Sequence, residues 1–360
     1  MSTRNIMSAT NTITASETRP GGPPADLHVR PMNTKVRWAT KNPPADPKVS
    51  FAGKNVLVTG ANTGLGYQAA LKYASLGADR LFIGVRTKAK GEQTKQRIIK
   101  ATNCTEIEIL TVDLVSFESV QSFVEELRKS TNDKLDVALL NAGMGNPNFQ
   151  RSPSGWEMTV QVNVLSTALM AVLLLPLLRA TAARGGSVPH LTFVNSHGHD
   201  TVKREWLGPD GSLLQATNTE KGWVSENSYS MVKLEGMAIM QHIAQVAAGS
   251  GGPTSPDIIV NAVCPDLCRT ELGRNYGTVQ RIIGNIVISL IARTAEQGSR
   301  TLVSGTALGP ESHGRFWHHD VLYPIGEMAK DEILMKRTWD EIWEVISKDR
   351  PELEKALNGE

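Results

Sequence analysis

The stretch TGANTGLG, residues 59–66, places three glycines in seven positions directly after the β-branched run NVLV. Glycine weakens the interior of a helix or strand, so this density marks a place where the backbone turns sharply or lets something approach closely. Where a strand ends and a helix begins, such a loop offers bare N–H groups and a positive dipole end to a pyrophosphate. The spacing G-x-x-x-G-x-G differs from the dinucleotide fingerprint G-x-G-x-x-G, and a tight turn would use the same glycines. A second feature bears on that choice. The run RLFIGV leads into Arg86 and Lys88, where an acidic side chain would hold a ribose 2′-hydroxyl and select NAD. A guanidinium at this point suits the 2′-phosphate of NADP. Such a charge-assisted bond contributes roughly 1.5–3 kcal/mol, or about ten- to hundredfold in affinity. A solvated surface arginine is the alternative.

The elements that would carry these residues are visible as apolar runs: NVLVT (55–59), RLFIGV (80–85), IEILTV (107–112), LDVALL (135–140), HLTFVN (190–195) and DIIVNAV (257–263). Helix-length stretches such as GYQAALKYASLG and SFESVQSFVEELRKS lie between the early ones. Continuous apolar strands alternating with helices predict an α/β fold: a doubly wound parallel sheet of Rossmann type, covered on both faces. Ligands of such folds sit beyond the carboxyl ends of the strands. One such domain is expected over residues 50–345. Residues 1–49, with GGPP, NPP and DPK, read as a flexible extension or a wrapping arm. Residues 198–227, with two tryptophans, form a polar insertion, and 273–296 mix apolar and polar stretches. Either segment could be a substrate lid or surface elaboration. The stretch from 331 to 357 reads as an amphipathic terminal helix, with 346–360 as a C-terminal tail.

The totals exclude several classes. With 360 residues, 40% apolar, 21% charged and a net charge of +2, the chain has the composition of a soluble globular protein. It has no charge excess to attract nucleic acid or an anionic membrane. Cys104, Cys264 and Cys268 make neither a disulfide framework nor a paired zinc motif. The longest apolar run, ALMAVLLLPLL (168–178), falls short of a membrane span and contains Pro176, so it reads as a core helix. The N-terminus lacks a signal-peptide core, its basic, acid-poor character is faintly like a transit peptide, and a cytoplasmic location is the default expectation.

TGANTGLG, NAG at 141–143, Ser196 on the fifth strand and YSMVK at 229–233, in that order, resemble the short-chain dehydrogenase/reductase family over about residues 51–325. The length and the insertion after the fifth strand are most similar to retinol-dehydrogenase-like reductases and to fungal enzymes that tailor polyketides and terpenoids. The resemblance implies an NADP(H)-dependent oxidoreductase interconverting a ketone or aldehyde and an alcohol on an apolar small molecule. Tyr229 would be the catalytic acid/base. Lys233, one helical turn on, would share its face, lower its pKa and bond the nicotinamide ribose. Ser196 would hold the substrate oxygen and Asn163 would support a proton path to the lysine. Gly60, Asn62, Thr63, Gly64, Leu65 and Gly66 would cradle the pyrophosphate. Arg86 would meet the 2′-phosphate, and Asp113 and Leu114 the adenine. Asn141, Ala142 and Gly143 would line the ribose, and Pro265 and Thr270 the nicotinamide. The family also implies a homodimer or homotetramer, unless the terminal extensions cover the helices used.

One position departs from the family pattern. Where Pro-Gly is usual, this chain has Pro265-Asp266, bulkier and negative, though aspartate tolerates unusual backbone angles. This position and the unusual tail motivate one rival function, an NADP-binding sensor or partner protein with impaired turnover; an epimerase or lyase on the same fold is a separate alternative. HGHD (197–200) and HHD (318–320) fit no strong zinc spacing, so no metal site is expected. His197 and His199, following Ser196, are candidates for substrate contact instead.

Overall fold

The computed structural model describes residues 22–102, 104–269 and 291–359. Among the described residues, eight strands form one sheet in the order β3-β2-β1-β4-β5-β6-β7-β8. They are β1 (Asn55–Thr59), β2 (Arg80–Val85), β3 (Ile107–Thr111), β4 (Val137–Leu140), β5 (His190–Val194), β6 (Ile259–Cys264), β7 (Phe316–His318) and β8 (Val321–Tyr323). Neighbours pair in parallel except β7 and β8, which form an antiparallel edge. This is the doubly wound α/β sheet expected from the alternating runs.

Alternation along β1 shows why both faces must be covered. Val56 and Val58 enter one core with α2 (Gly64–Ser75), α3 (Lys88–Thr102) and the helix Ala295–Gly305. Leu57 enters the other, with α4 (Phe117–Thr131), α6 (Ser166–Ala183) and α8 (Ser225–Ala247). A strand with both faces buried has no place for a polar alternation, and NVLVT shows none. The short helix α5 (Met158–Val160) and the π-helical turn Gln161–Leu165 run directly into α6. Together, residues 158–183 are long and apolar enough to cross a membrane, but 78% of the most apolar window is buried within the protein. The ALMAVLLLPLL run is therefore a core helix, and Pro176 is accommodated inside α6.

The ends of the chain are built into this body. Of the two readings of the N-terminal extension, the wrapping arm holds in its described part, which carries a turn at Leu27–Val29 and the helix α1 (Met32–Lys41). Leu27 is fully buried. The anchor is Arg293, itself buried, whose guanidinium donates to the carbonyls of Ala39 (3.1 Å), Asn42 (3.0 Å) and Pro265 (3.3 Å). The arm thus lies across the carboxyl ends of β6 and β7, with Ala45 N–H donating to Asp320 at 2.8 Å. The C-terminal residues also pack rather than trail. The helix Glu352–Asn358 buries Leu353, and Arg179 of α6 donates to the Ala356 and Leu357 carbonyls at 2.6 and 2.7 Å. The insertion folds in the same way: α7 (Leu213–Thr217) buries Leu213 and Leu214 against the core.

Candidate active site

The glycine loop joins β1 to α2 at the carboxyl edge of the sheet. Gly60 and Gly64 have φ of 67° and 56°, angles that favour glycine. A Cβ on Gly66 would come within 2.3 Å of the Gly60 carbonyl and 2.4 Å of Asn141 Nδ2, so no side chain fits there. Thr63 stands at the N-cap of α2 in extended conformation, and its side chain accepts no N–H from the first turn. Those N–H groups and the helix dipole remain available to an anion. Asn62 and Leu65 are partly exposed beside them.

The end of β4 is tied to this loop. Asn141 Nδ2 donates to the Thr59 carbonyl at 2.8 Å, and Thr59 Oγ1 accepts the N–H groups of Asn141 and Ala142, both at 3.0 Å. Thr59 closes this joint although sequence reasoning gave it no role; its sole signal was its place before the first glycine. Gly143 follows against Asn163, whose Oδ1 would lie 3.1 Å from an added Cβ. Arg86 and Lys88 are exposed just beyond β2. Asp113 is exposed after β3, its carboxylate accepting Val115 N–H at 3.1 Å, and Leu114 is buried beside it. The glycine loop, Arg86, Asp113 and Asn141 therefore occupy successive ends of β1, β2, β3 and β4 along one edge.

Tyr229 and Lys233 lie on the first turns of α8, with the ammonium 5.8 Å from the centre of the tyrosine ring. Lys233 Nζ donates to the Val194 carbonyl at the end of β5 at 3.1 Å, while Asn195 Nδ2 donates to the Lys233 carbonyl at 3.1 Å. Helix and strand end are thus locked together. Ser196 follows in the next turn and hydrogen-bonds the Tyr229 hydroxyl. The phenol is not lowered as expected from Lys233: burial pushes it up to about 12, with the Ser196 bond working the other way. Burial brings Lys233 down to about 8. At neutral pH the pair is a protonated phenol above a mostly charged ammonium, the state a proton donor to a carbonyl requires. Asn163 sits in the π-helical turn, an irregularity frequent at functional sites. Its amide is paired both ways with Met144, accepting N–H at 2.9 Å and donating to the carbonyl at 2.8 Å. The structure thus brings Ser196, Tyr229 and Lys233 together and sets Asn163 against the β4 loop.

The loop after β6 explains the missing glycine. Asp266 has φ of 68°, so aspartate occupies a left-handed position that glycine ordinarily fills. Its buried carboxylate lies 3.2 Å from His318 Nε2 and 3.5 Å from His319 Nε2 and accepts Leu267 N–H at 2.6 Å. Burial would raise this carboxyl, but the His318 hydrogen bond and the neighbouring imidazoles hold it below the usual carboxylate range. Pro265 packs towards the glycine loop: a Cβ on Gly298 would meet Pro265 Cβ at 3.4 Å and Leu65 Cδ2 at 2.7 Å. Thr270 and residues 273–290 of the candidate lid at 273–296 lie outside the described residues. His199 is fixed structurally, bonding the Ser196 carbonyl through Nδ1 at 2.7 Å and accepting Gly326 N–H on Nε2 at 3.2 Å. Both ring nitrogens are used, so it is not a substrate contact. An open cleft of about 440 Å³ lies between Pro147–Phe149 and Glu220–Glu226, edged by Phe149, Trp223 and Val224.

A family model described as short chain dehydrogenase matches residues 54–197. The short-chain dehydrogenase/reductase ffsI of Aspergillus flavipes is 44% identical over 89% of this chain and 94% of its own length. The short-chain dehydrogenase/reductase phmF of Phaeosphaeria nodorum is 39% identical over 90% and 96%. Among solved structures, an NADP complex of RhlG from Pseudomonas aeruginosa shares the fold, with a TM-score of 0.56 at 21% identity, covering 78% of this chain and 98% of that one.

Proposed function

This chain belongs to the short-chain dehydrogenase/reductase family, and from that premise we propose that it is an NADP(H)-dependent enzyme interconverting a ketone or aldehyde and an alcohol on an apolar small molecule. The observation that carries this reading is the convergence of Ser196, Tyr229 and Lys233 at the end of β5, on the same sheet edge as the uncapped N-terminus of α2. The donor set fits a dinucleotide: free N–H groups at a glycine-lined helix end for the pyrophosphate, and Arg86 for a 2′-phosphate. A bound nicotinamide supplies the hydride. Tyr229 donates its phenolic proton to the carbonyl oxygen during reduction. Lys233 stabilises the phenolate left behind, and the Ser196 hydroxyl holds the oxygen as charge develops on it. The apolar character of the substrate is inferred from the family resemblance; the cleft sets Phe149, Trp223 and Val224 among the polar Asn148, Glu220, Ser225 and Glu226. The Aspergillus and Phaeosphaeria relatives support a fungal short-chain dehydrogenase/reductase; its place in secondary metabolism and in the cytosol is part of the proposal.

The test is a paired fluorescence titration with NADPH and NADH on wild type and Arg86→Ala, followed by a carbonyl screen on the NADPH complex. NADPH should bind more tightly, and Arg86→Ala should weaken it about ten- to hundredfold while leaving NADH unchanged. Folded protein that binds neither nucleotide refutes the reading.

A further inference from the structure

Three strand ends behind the Ser196 turn bring together residues that no linear motif connects. Cys264 ends β6, His318 ends β7 as its register partner, and His197 follows β5. One ligand atom from each lies within 4.8 Å of the other two, and His197 Nδ1 is 3.6 Å from Cys264 Sγ. We propose that Cys264, His197 and His318 bind a divalent ion of the zinc class.

The hydrogen-bond pattern around each ligand supports this. Cys264 Sγ accepts backbone N–H from His197 and from Asp266, both at 3.4 Å, which fixes the sulfur between the two loops. His318 Nε2 faces the Asp266 carboxylate at 3.2 Å. With Nε2 engaged by Asp266, Nδ1 is the ring nitrogen left to ligate an ion. That Nδ1 is buried with no hydrogen-bond partner, in a residue only 2% exposed. An unmatched buried acceptor is costly, and a metal ion would satisfy it. The carboxylate behind the imidazole is the support that metal-bound histidines usually have. Asp266 is held in its turn: Arg293 bonds His319 Nδ1 at 3.2 Å, which leaves the Nε2 proton of His319 for Asp266 at 3.5 Å. His197 Nε2 lies 3.2 Å from Met32 Sδ of the N-terminal arm, leaving Nδ1 towards the thiol.

One sulfur and two imidazole nitrogens select a borderline-soft ion such as Zn(II) over Mg(II) or Ca(II). Three protein ligands leave a fourth coordination position. Beside the two imidazoles, but not lined by Cys264, a small cavity of about 10 Å³ bounded by Lys35, Asp200, Asp266 and Tyr323 has room for about one water. On binding, the Cys264 S–H bond breaks, an S–Zn bond forms and one proton is released to solvent. The ion would clamp the Ser196 turn, the Pro265–Asp266 loop and the end of β7 together. This proposal does not depend on the hydride-transfer reading.

The experiment uses tag-free full-length protein, stripped with a chelator and titrated with Zn(II) against a chromophoric chelator, then with Co(II) monitored by absorption. One ion per chain is expected, together with a thiolate-to-cobalt charge-transfer band. Cys264→Ser should abolish the band, whereas Cys268→Ser keeps it. His318→Asn should lose stoichiometric binding. Asp266→Asn, whose amide suits the same backbone angle, should weaken affinity about 10–100-fold. Circular dichroism reports whether each variant is folded. Absence of saturable binding at micromolar zinc by folded wild type overturns the proposal, as does a charge-transfer band that survives in Cys264→Ser.

Discussion

The Lys233 ammonium donates to the Val194 carbonyl at 3.1 Å, so the last residue of β5 fixes the cation that lies 5.8 Å from the Tyr229 ring. With burial holding Lys233 near 8, the cation is present below that pH and disappears above it. Carbonyl reduction should therefore decline as pH rises through about 8, and in Lys233→Arg this limb should move to higher pH because arginine keeps its charge. Tyr229→Phe should lower kcat about 10²–10⁴-fold with little change in NADPH affinity. The check is a pH–rate profile at saturating NADPH alongside nucleotide titrations; a wild-type profile flat to pH 10 would refute the assignment to Lys233.

Gly66→Ala should abolish nucleotide binding through backbone displacement rather than through lost chemistry. The new methyl would sit 2.3 Å from the Gly60 carbonyl and 2.4 Å from Asn141 Nδ2, both of which belong to the joint between β1 and β4. Relieving such overlap costs about 1–3 kcal/mol and moves the loop that faces the phosphate. Denaturant unfolding and NADPH titration on the same preparation check both parts. An unaltered affinity would show that the loop takes no part in binding.

At Asp266, the backbone angle and the carboxylate can be separated by choice of substitution. Asparagine tolerates a φ of 68° and keeps an acceptor for His318, so Asp266→Asn should be the mildest change. Asp266→Gly relieves the backbone but leaves His318 and His319 without their acceptor. Asp266→Ala carries both penalties and should cost about 2–4 kcal/mol. The expected order of stability is Asn above Gly above Ala, read from denaturant midpoints. A more stable alanine than glycine variant would mean that the left-handed angle is not retained.

The parts of this fold that were legible in the sequence are those governed by periodicity and local backbone demand. NVLVT and RLFIGV are apolar throughout because β1 and β2 are buried on both faces, and Tyr229 and Lys233 share a helix face because four residues make one turn. The Pro- and Gly-rich texture of the arm has no period and leaves a flexible tail and a wrapping arm both open, because the anchor that decides for wrapping is a single guanidinium at Arg293, some 250 positions away along the chain. The same reasoning missed the Cys264–His197–His318 grouping. Zinc spacing is sought along the chain, whereas parallel register assembles these residues from three strand ends. The role of Asp266 was half visible: the departure from Pro-Gly marked the site, but its histidine partners lie 52 and 53 positions on.

Glu235 should make the protein less stable as pH rises. It lies on α8 two residues beyond Lys233, fully buried, with Oε1 accepting the Thr217 hydroxyl at 2.8 Å and Oε2 without a partner. Burial raises its carboxyl well above the usual range against the Thr217 bond, and the charges of Glu157 and Glu341 add to the rise. Glu157 has its own unpartnered buried oxygen, Oε1, and Glu341 accepts the Ser212 hydroxyl at 2.6 Å nearby. Because the folded state binds the proton more tightly than the unfolded chain, stability is greatest below the unfolded carboxylate pKa. It falls with rising pH until the folded group ionises, at up to about 1.4 kcal/mol per pH unit. Glu235→Gln is neutral throughout and should escape this loss, so its advantage over wild type should widen between pH 5 and pH 8. Thermal melts at pH 5, 6, 7 and 8 check the slope, and parallel curves for the two proteins would show that Glu235 does not titrate against folding.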